Sequence, residues 1–257
     1  MGRIAVSTGR GGVGKSTFVA LASRYLDPPK LLIDLDPDES LADMLGVDWN
    51  ETRKKTISSA LHDIMKQDRG VGRTGYASLP NVLRPVVKDD CLYRSPEFDL
   101  LTLGTKFTVG CYCAPDAALR DLIPLLSKNY EAVLVDSPAG LEHLNRKVAA
   151  DIDDLFVILD PSDKSVKHIQ RVKDITGQLK FSYKNFYLVG NHRFTQEAQE
   201  YFQDTGNAYL GKLDFDPNVK QHNLEGRSLL ELPENSPAVV SVREILTKAG
   251  YTMQQRD

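Results

Sequence analysis

The run Gly9-Arg10-Gly11-Gly12-Val13-Gly14-Lys15-Ser16 constrains this chain more than any other feature, because it satisfies G-x-x-x-x-G-K-[ST] at every fixed position. An apolar strand pattern over residues 4–6 leads into it, and a helical pattern over 17–25 leads out. A strand, a glycine-rich turn and a helix in that order make an anion cradle. Glycines let successive backbone N–H groups turn inward. The helix offers its positive N-terminal end to the same charge. Lys15 is placed to reach the β- and γ-phosphates and Ser16 to ligate Mg²⁺, so ATP or ADP with magnesium is the expected occupant. Gly11, Gly12, Val13, Gly14 and Thr17 complete the cradle. Glycine-rich turns also occur without nucleotides, but the full motif with both flanks argues against that here.

Short apolar runs alternate with helical patterns along the rest of the chain. Strands are expected at 4–8, 31–34, 99–103, 132–136, 154–159, 186–190 and 208–213. Helices are expected at 15–25, 56–65, 116–128, 166–179, 196–203 and 238–248. That alternation predicts an α/β, doubly wound, mostly parallel sheet with helices on both faces. Right-handed crossovers then gather the C-terminal strand ends, where ligands bind, along one edge. The 257 residues are read as a single P-loop ATPase domain. About residues 68–97 the rhythm breaks, with Gly70, Gly72, Gly75, Pro80, Pro85 and Pro96, and an irregular excursion is expected. Such a stretch is either a functional loop or a variable surface crossover.

Two strand patterns end in acid. Residues 32–37 read Leu-Ile-Asp-Leu-Asp-Pro, and 133–140 read Val-Leu-Val-Asp-Ser-Pro-Ala-Gly. An apolar strand ending in Asp is the Walker B arrangement, in which Asp136 would hold Mg²⁺ directly or through water. Gly140 offers a bare backbone N–H to the γ-phosphate. Alone, Asp36 or Asp136 would be an ordinary turn or cap residue. Beside the loop, both become candidates for the site.

Composition narrows the class. Net charge is −3, so no global positive field draws the chain to nucleic acid or anionic lipid. No apolar run approaches the roughly 20 residues that span a bilayer, and residues 1–10 lack a signal-peptide core. A cytoplasmic location without stable membrane association is expected. Three cysteines make no disulfide framework. Cys91, in the 68–97 stretch, reads as an incidental thiol. None of the five histidines has ligand spacing, and a surface position is the expectation for most, with His143 set apart because it follows the Asp136 strand end.

The doubled glycine in Gly11-Gly12-Val13-Gly14-Lys15-Ser16-Thr17 resembles the deviant Walker A loop of the dimeric ATPases that include MinD, ParA, the nitrogenase iron protein and CooC. Asp34-Leu35-Asp36-Pro37 looks like that class's switch I, and Asp136-Ser137-Pro138-Ala139-Gly140 like its switch II. Residues 140–146, then Leu159-Asp160-Pro161-Ser162 and Gly110-Cys111-Tyr112-Cys113, resemble the CooC branch. CooC proteins are nickel-insertion ATPases that mature carbon monoxide dehydrogenase, with relatives serving acetyl-CoA synthase. The resemblance implies a homodimer sandwiching two ATP molecules and a nickel-dependent client enzyme. It implies that Asp36 orients or activates the attacking water and that Asn191 reads the adenine edge, although Asn191 also suits a turn or cap. The class usually has lysine where this chain has Arg10, and that residue reaches the partner's phosphates. Arginine keeps the charge with a different geometry, and a solvated loop charge is the plain alternative. Asp214 stands where the class often has proline, on the far wall of the adenine pocket.

Cys111 and Cys113 supply two sulfurs per protomer. Near a two-fold axis, a dimer would present four, enough for Ni²⁺ or Zn²⁺. Two incidental thiols are the alternative. Other roles in the class demand other features. A MinD-like positioning ATPase needs a basic amphipathic C-terminal helix, yet residues 239–251 carry only Arg243 and Lys248. A ParA-like ATPase needs a basic face for DNA. An iron–sulfur cluster carrier needs cysteines, and the iron-protein type has one after switch II, where 138–150 has none. A cluster on Cys111 and Cys113 of two protomers remains the second reading.

Overall fold

In the computed structural model, which describes residues 2–67, 79–105, 120, 122–139, 151–179 and 182–252, the apolar runs line up as one sheet of eight strands. They are β1 (Arg3–Gly9), β2 (Lys30–Asp34), β3 (Tyr93–Arg94), β4 (Asp99–Thr102), β5 (Ala132–Asp136), β6 (Asp151–Leu159), β7 (Ser182–Gly190) and β8 (Ala208–Lys212). The order across the sheet is β3-β4-β2-β5-β1-β6-β7-β8. Every adjacent pair is parallel except β3 with β4. Seven strands fall where the apolar runs predicted them. The eighth, β3, is two residues long and too short to leave a periodic trace.

Helices α1 (Lys15–Ser23), α2 (Ser40–Met44), α3 (Ile57–Gln67), α4 (Leu79–Val86), α5 (Asp163–Gln178), α6 (Gln196–Gln203), α7 (Pro217–Glu225) and α8 (Pro237–Lys248) cover the two faces. Helical residues 122–126 lead into a 3₁₀ turn at Ser127–Asn129. Alternation along the central strands sorts the core. Ile4, Val6, Ile33, Val135 and Val157 pack on the face of α3, α5 and α6. Ala5, Leu32, Leu134 and Phe156 pack on the face of α1, α2 and α8. Helix α1 is buried from Phe18 to Ser23, sandwiched between the sheet and α8, so it is apolar on nearly every side.

The stretch read as irregular is regular in its described half. Residues 79–97 hold α4, a π-helical turn (Val87–Cys91) and β3. Pro85 inside α4 is what hid the helical signal. Cys91 is wholly buried in the core, and burial pushes its thiol up to about 12. The sequence also missed α2 and α7. The first is a single short turn, and the second starts at Pro217 with a weakly patterned face.

Candidate functional site

Chain direction and sheet order bring the strand ends of β1, β2 and β5 together at one edge. The loop after β1 turns through two left-handed glycines, Gly12 (φ 71°) and Gly14 (φ 101°), the latter capping α1. Residues with a Cβ resist that conformation. Gly12 is exposed, and a Cβ there would meet no described atom within 4 Å, so the loop is open at this position. Helix α1 starts at Lys15 directly after these glycines, so its positive N-terminal end borders the loop, an arrangement suited to phosphate oxygens. Ala139 lies against the loop, its Cβ 3.6 Å from where a Gly11 Cβ would stand.

Lys15 is buried, and its Nζ donates to the Arg10 carbonyl at 3.3 Å. Burial lowers its pKa, against the pull of Asp136 and Asp36. One ammonium therefore lies within electrostatic reach of both Asp136 and Asp36.

A polar row crosses four strands at one level. Register pairs Ser7 with Asp136, Asp136 with Asp34, and Asp34 with Thr102. Strand alternation aims all four toward the α1 face. All are buried, and Ser7 Oγ, Thr102 Oγ1 and both Asp136 carboxylate oxygens complete no hydrogen bond within the described chain. Burial pushes Asp136 up to about 7, even though Ser16 and Lys15 lie near enough to pull it down. A sealed, unsatisfied carboxylate next to a hydroxyl is costly unless something binds there. The Ser16 hydroxyl and the Asp136 carboxylate are hard oxygen donors, and the pair fits a magnesium ion. Asp36 sits half-buried past the end of β2, its Oδ1 accepting the N–H of Asp38 at 3.2 Å.

Arg10 makes a bond within its own chain. Its Nη1 donates to Asp160 Oδ2 at 3.1 Å and to Ser162 Oγ at 3.4 Å. Although burial opposes it, hydrogen bonds from Ser162 and Ser165, with the Arg10 charge, hold Asp160 below the usual carboxylate range. Beneath them His168 is buried rather than on the surface, with Nε2 unpartnered among the described residues, and burial and then Arg10 lower its pKa. His222 is buried too, its Nδ1 2.8 Å from the Ser228 carbonyl oxygen.

Asn191, at the end of β7, is buried, and its Oδ1 accepts the Arg193 N–H at 3.0 Å. That is a turn role, but the Nδ2 donor has no partner among the described residues. A cavity of about 490 Å³ opens beside Gly12 and Gly14, and His192, Leu213, Phe215 and Val219 line it. Phe215 is 64% exposed, with its ring 5.9 Å from that of His192. Asp214 is on this wall and pairs with Lys212. No motif in the sequence marks His192, Leu213 or Phe215 as site residues. The only available signal was their place just after β7 and β8. Cys111, Cys113 and Gly140 lie outside the described residues. Among those described, no cluster of three or more His, Cys, Asp or Glu side chains suits a metal, and no helix is long and apolar enough to cross a membrane.

This geometry agrees with what the chain resembles. The model of the AAA domain family matches residues 1–187. An uncharacterized ATP-binding protein of Methanocaldococcus jannaschii is 32% identical over 252 residues, covering 95% of this chain and 97% of that one. The carbon monoxide dehydrogenase accessory protein CooC of Rhodospirillum rubrum is 29% identical over 248 residues, covering 92% and 91%. Among solved structures, MinD of Pyrococcus horikoshii complexed with Mg-ADP superposes with a TM-score of 0.67 at 20% identity, covering 97% and 96%. A ParA family ATPase of Chlorobium tepidum superposes at 0.68 with 16% identity, covering 97% and 99%. Likeness at that level speaks to the fold.

Proposed function

From the premise that the chain belongs to the AAA domain family and is a P-loop ATPase, we propose that it hydrolyses Mg·ATP between two protomers and uses the cycle to deliver nickel to carbon monoxide dehydrogenase or acetyl-CoA synthase. The observation that carries the nucleotide chemistry is the convergence of Lys15, Ser16, Asp36 and the unsatisfied Asp136 around one glycine cradle.

Each residue has a task in that reading. Inward backbone N–H groups of Gly11–Thr17 bind the triphosphate, and Lys15 exchanges the Arg10 carbonyl for phosphate oxygens. Ser16 and Asp136 would hold Mg²⁺, which neutralises phosphate charge when bound. Gly140 donates its N–H to the γ-phosphate. Asp36 orients the attacking water and takes up its proton. His192, Leu213 and Phe215 enclose the base, and Asn191, next to His192 in the chain and with its Nδ2 unpartnered among the described residues, would turn to be its polar contact. Arg10 leaves Asp160 and reaches the partner's phosphates.

The cargo assignment rests on Cys111 and Cys113 in their CooC-like setting, and the CooC relative supports it. Nickel or zinc is cargo here, held between two chains. An iron–sulfur cluster on the same cysteines is the second reading. Elemental analysis of anaerobically purified protein separates the two. Nickel or zinc without sulfide supports the metallochaperone, whereas iron with equimolar sulfide rejects it.

A further inference from the structure

The loop that carries Asp36 closes on a residue to which the mechanism above gives no task. Asp34 ends β2 and is fully buried. Its Oδ1 accepts the N–H of Asp36 at 2.9 Å, and its Oδ2 accepts the N–H of Leu41 at 3.0 Å. Between these points the Asp36 carbonyl accepts the Glu39 N–H at 3.1 Å. Just before them, the Leu35 N–H donates to the main-chain oxygen of Asp136 at 2.9 Å. Residues 36–41 are thus a loop tied at both ends to one carboxylate.

Holding that shape is costly. Glu39 sits in the left-handed region (φ 57°), unusual for a residue with a side chain. Asp34 is sealed from water beside a second acid, where an apolar residue would satisfy the fold more cheaply. Its two oxygens each receive one backbone N–H, the arrangement that makes a buried carboxylate tolerable. Both costs are met at the one loop whose position decides where the Asp36 carboxylate stands.

We infer that Asp34 is a positioning residue for hydrolysis: its carboxylate cinches residues 36–41 and fixes Asp36 over the phosphate cradle. The inference rests on the reading of Asp36 as the group that orients water.

The test compares Asp34→Asn, Asp36→Asn and the double variant, measuring kcat with Mg·ATP and the affinity for a fluorescent ATP analogue. Asn keeps the volume but offers one acceptor oxygen where Asp offers two. Asp34→Asn is expected to lower kcat tenfold or more and to change ATP affinity less than threefold. The double variant should be no slower than Asp36→Asn, since both act through one group. Wild-type kcat in Asp34→Asn beside an inactive Asp36→Asn overturns the positioning role and leaves Asp36 in place. Losses that multiply in the double variant overturn it as well. Wild-type rates in both single variants remove Asp36 from the reaction, and the proposal with it. Amide exchange on the unaltered chain gives a check that needs no variant to fold. The amides of Asp36 and Leu41 should be slow, and exchange at open-loop rates at either one overturns the clamp.

Discussion

Asp34 and Asp136 stand side by side at the ends of β2 and β5, paired in register, and both are sealed from solvent. Two backbone N–H groups satisfy Asp34, while the oxygens of Asp136 complete no bond among the described residues. Burial, then the neighbouring acid, raises Asp34 well above the carboxylate range. Burial carries Asp136 to about 7.

Between pH 4 and 7 the folded, nucleotide-free chain keeps a proton on Asp136 that the unfolded chain has released. Stability therefore rises as pH falls through about 7 and levels off near 4. Each unit of displacement is worth about 1.4 kcal/mol. Asp136→Asn removes the penalty. In chelator at pH 7.5 its melting temperature should exceed that of the unaltered chain by at least about 4 °C, and the gap should shrink by pH 5.5. The same variant should lose Mg·ATP hydrolysis. Thermal melts at the two pH values check this, and a gap that does not narrow rules out a protonated Asp136.

Lys15→Ala should weaken ATP binding by about 10–100-fold, the value of a charge-assisted contact of about 1.5–3 kcal/mol. Titration with a fluorescent ATP analogue measures it. Unchanged affinity would remove Lys15 from the phosphates.

Much of this was legible in the sequence because the informative residues sit at element boundaries. Lys15 is read from fixed spacing and Asp136 from the end of an apolar run, and the sheet follows from seven such runs. The clamp from Asp34 to Leu41 was not legible. It depends on how a five-residue helix without a side-chain cap folds back on its strand. Nor was the polar row, because registers between β1, β2, β4 and β5 are set by crossovers in space. His168 was misplaced because a single histidine gives no period, and only the helix phase of Ile169 and Val172 reveals its buried side. Phe215 lies in a loop, where an exposed aromatic leaves no pattern at all.

Arg10→Ala should weaken ATP-driven dimerisation more than ATP binding by one chain, because a contact in trans forms only when the partner arrives. The bond to Asp160 competes with that contact. Asp160→Asn should therefore favour the dimer, by a few-fold at most, since the pair is partly exposed and such pairs are worth less than about 1 kcal/mol. Sedimentation with ATP, in an Asp36→Asn background, reads both. Identical dimerisation of all forms would make Arg10 an ordinary loop charge.

Phe215→Ala should weaken ATP and ADP by the same factor, about 3–10-fold, given about 0.5–1.5 kcal/mol for an aromatic stack. The base is common to both nucleotides, and kcat should hold because Phe215 has no task at the reacting phosphate in this reading. Equilibrium titrations with each nucleotide decide it. An effect on one nucleotide alone would place the base elsewhere.

Cys111 and Cys113 should bind one divalent ion per dimer, with two sulfurs from each chain. Four thiolates complete a tetrahedral or square-planar set and two do not, so affinity should depend on dimerisation. The linkage is reciprocal: metal should favour the dimer, and a nucleotide that favours the dimer should tighten metal by the same factor. Hydrolysis would then loosen the site and release the ion to a client. Nickel and zinc should both bind in vitro, because thiolates separate them poorly by affinity alone. Changing both cysteines to serine should abolish metal binding and spare ATP binding, since Lys15, Ser16 and Asp136 form a separate constellation. Metal stoichiometry and protomer mass measured on one sample check the idea. One ion held tightly by a monomer, or undiminished binding in the double-serine variant, would end it.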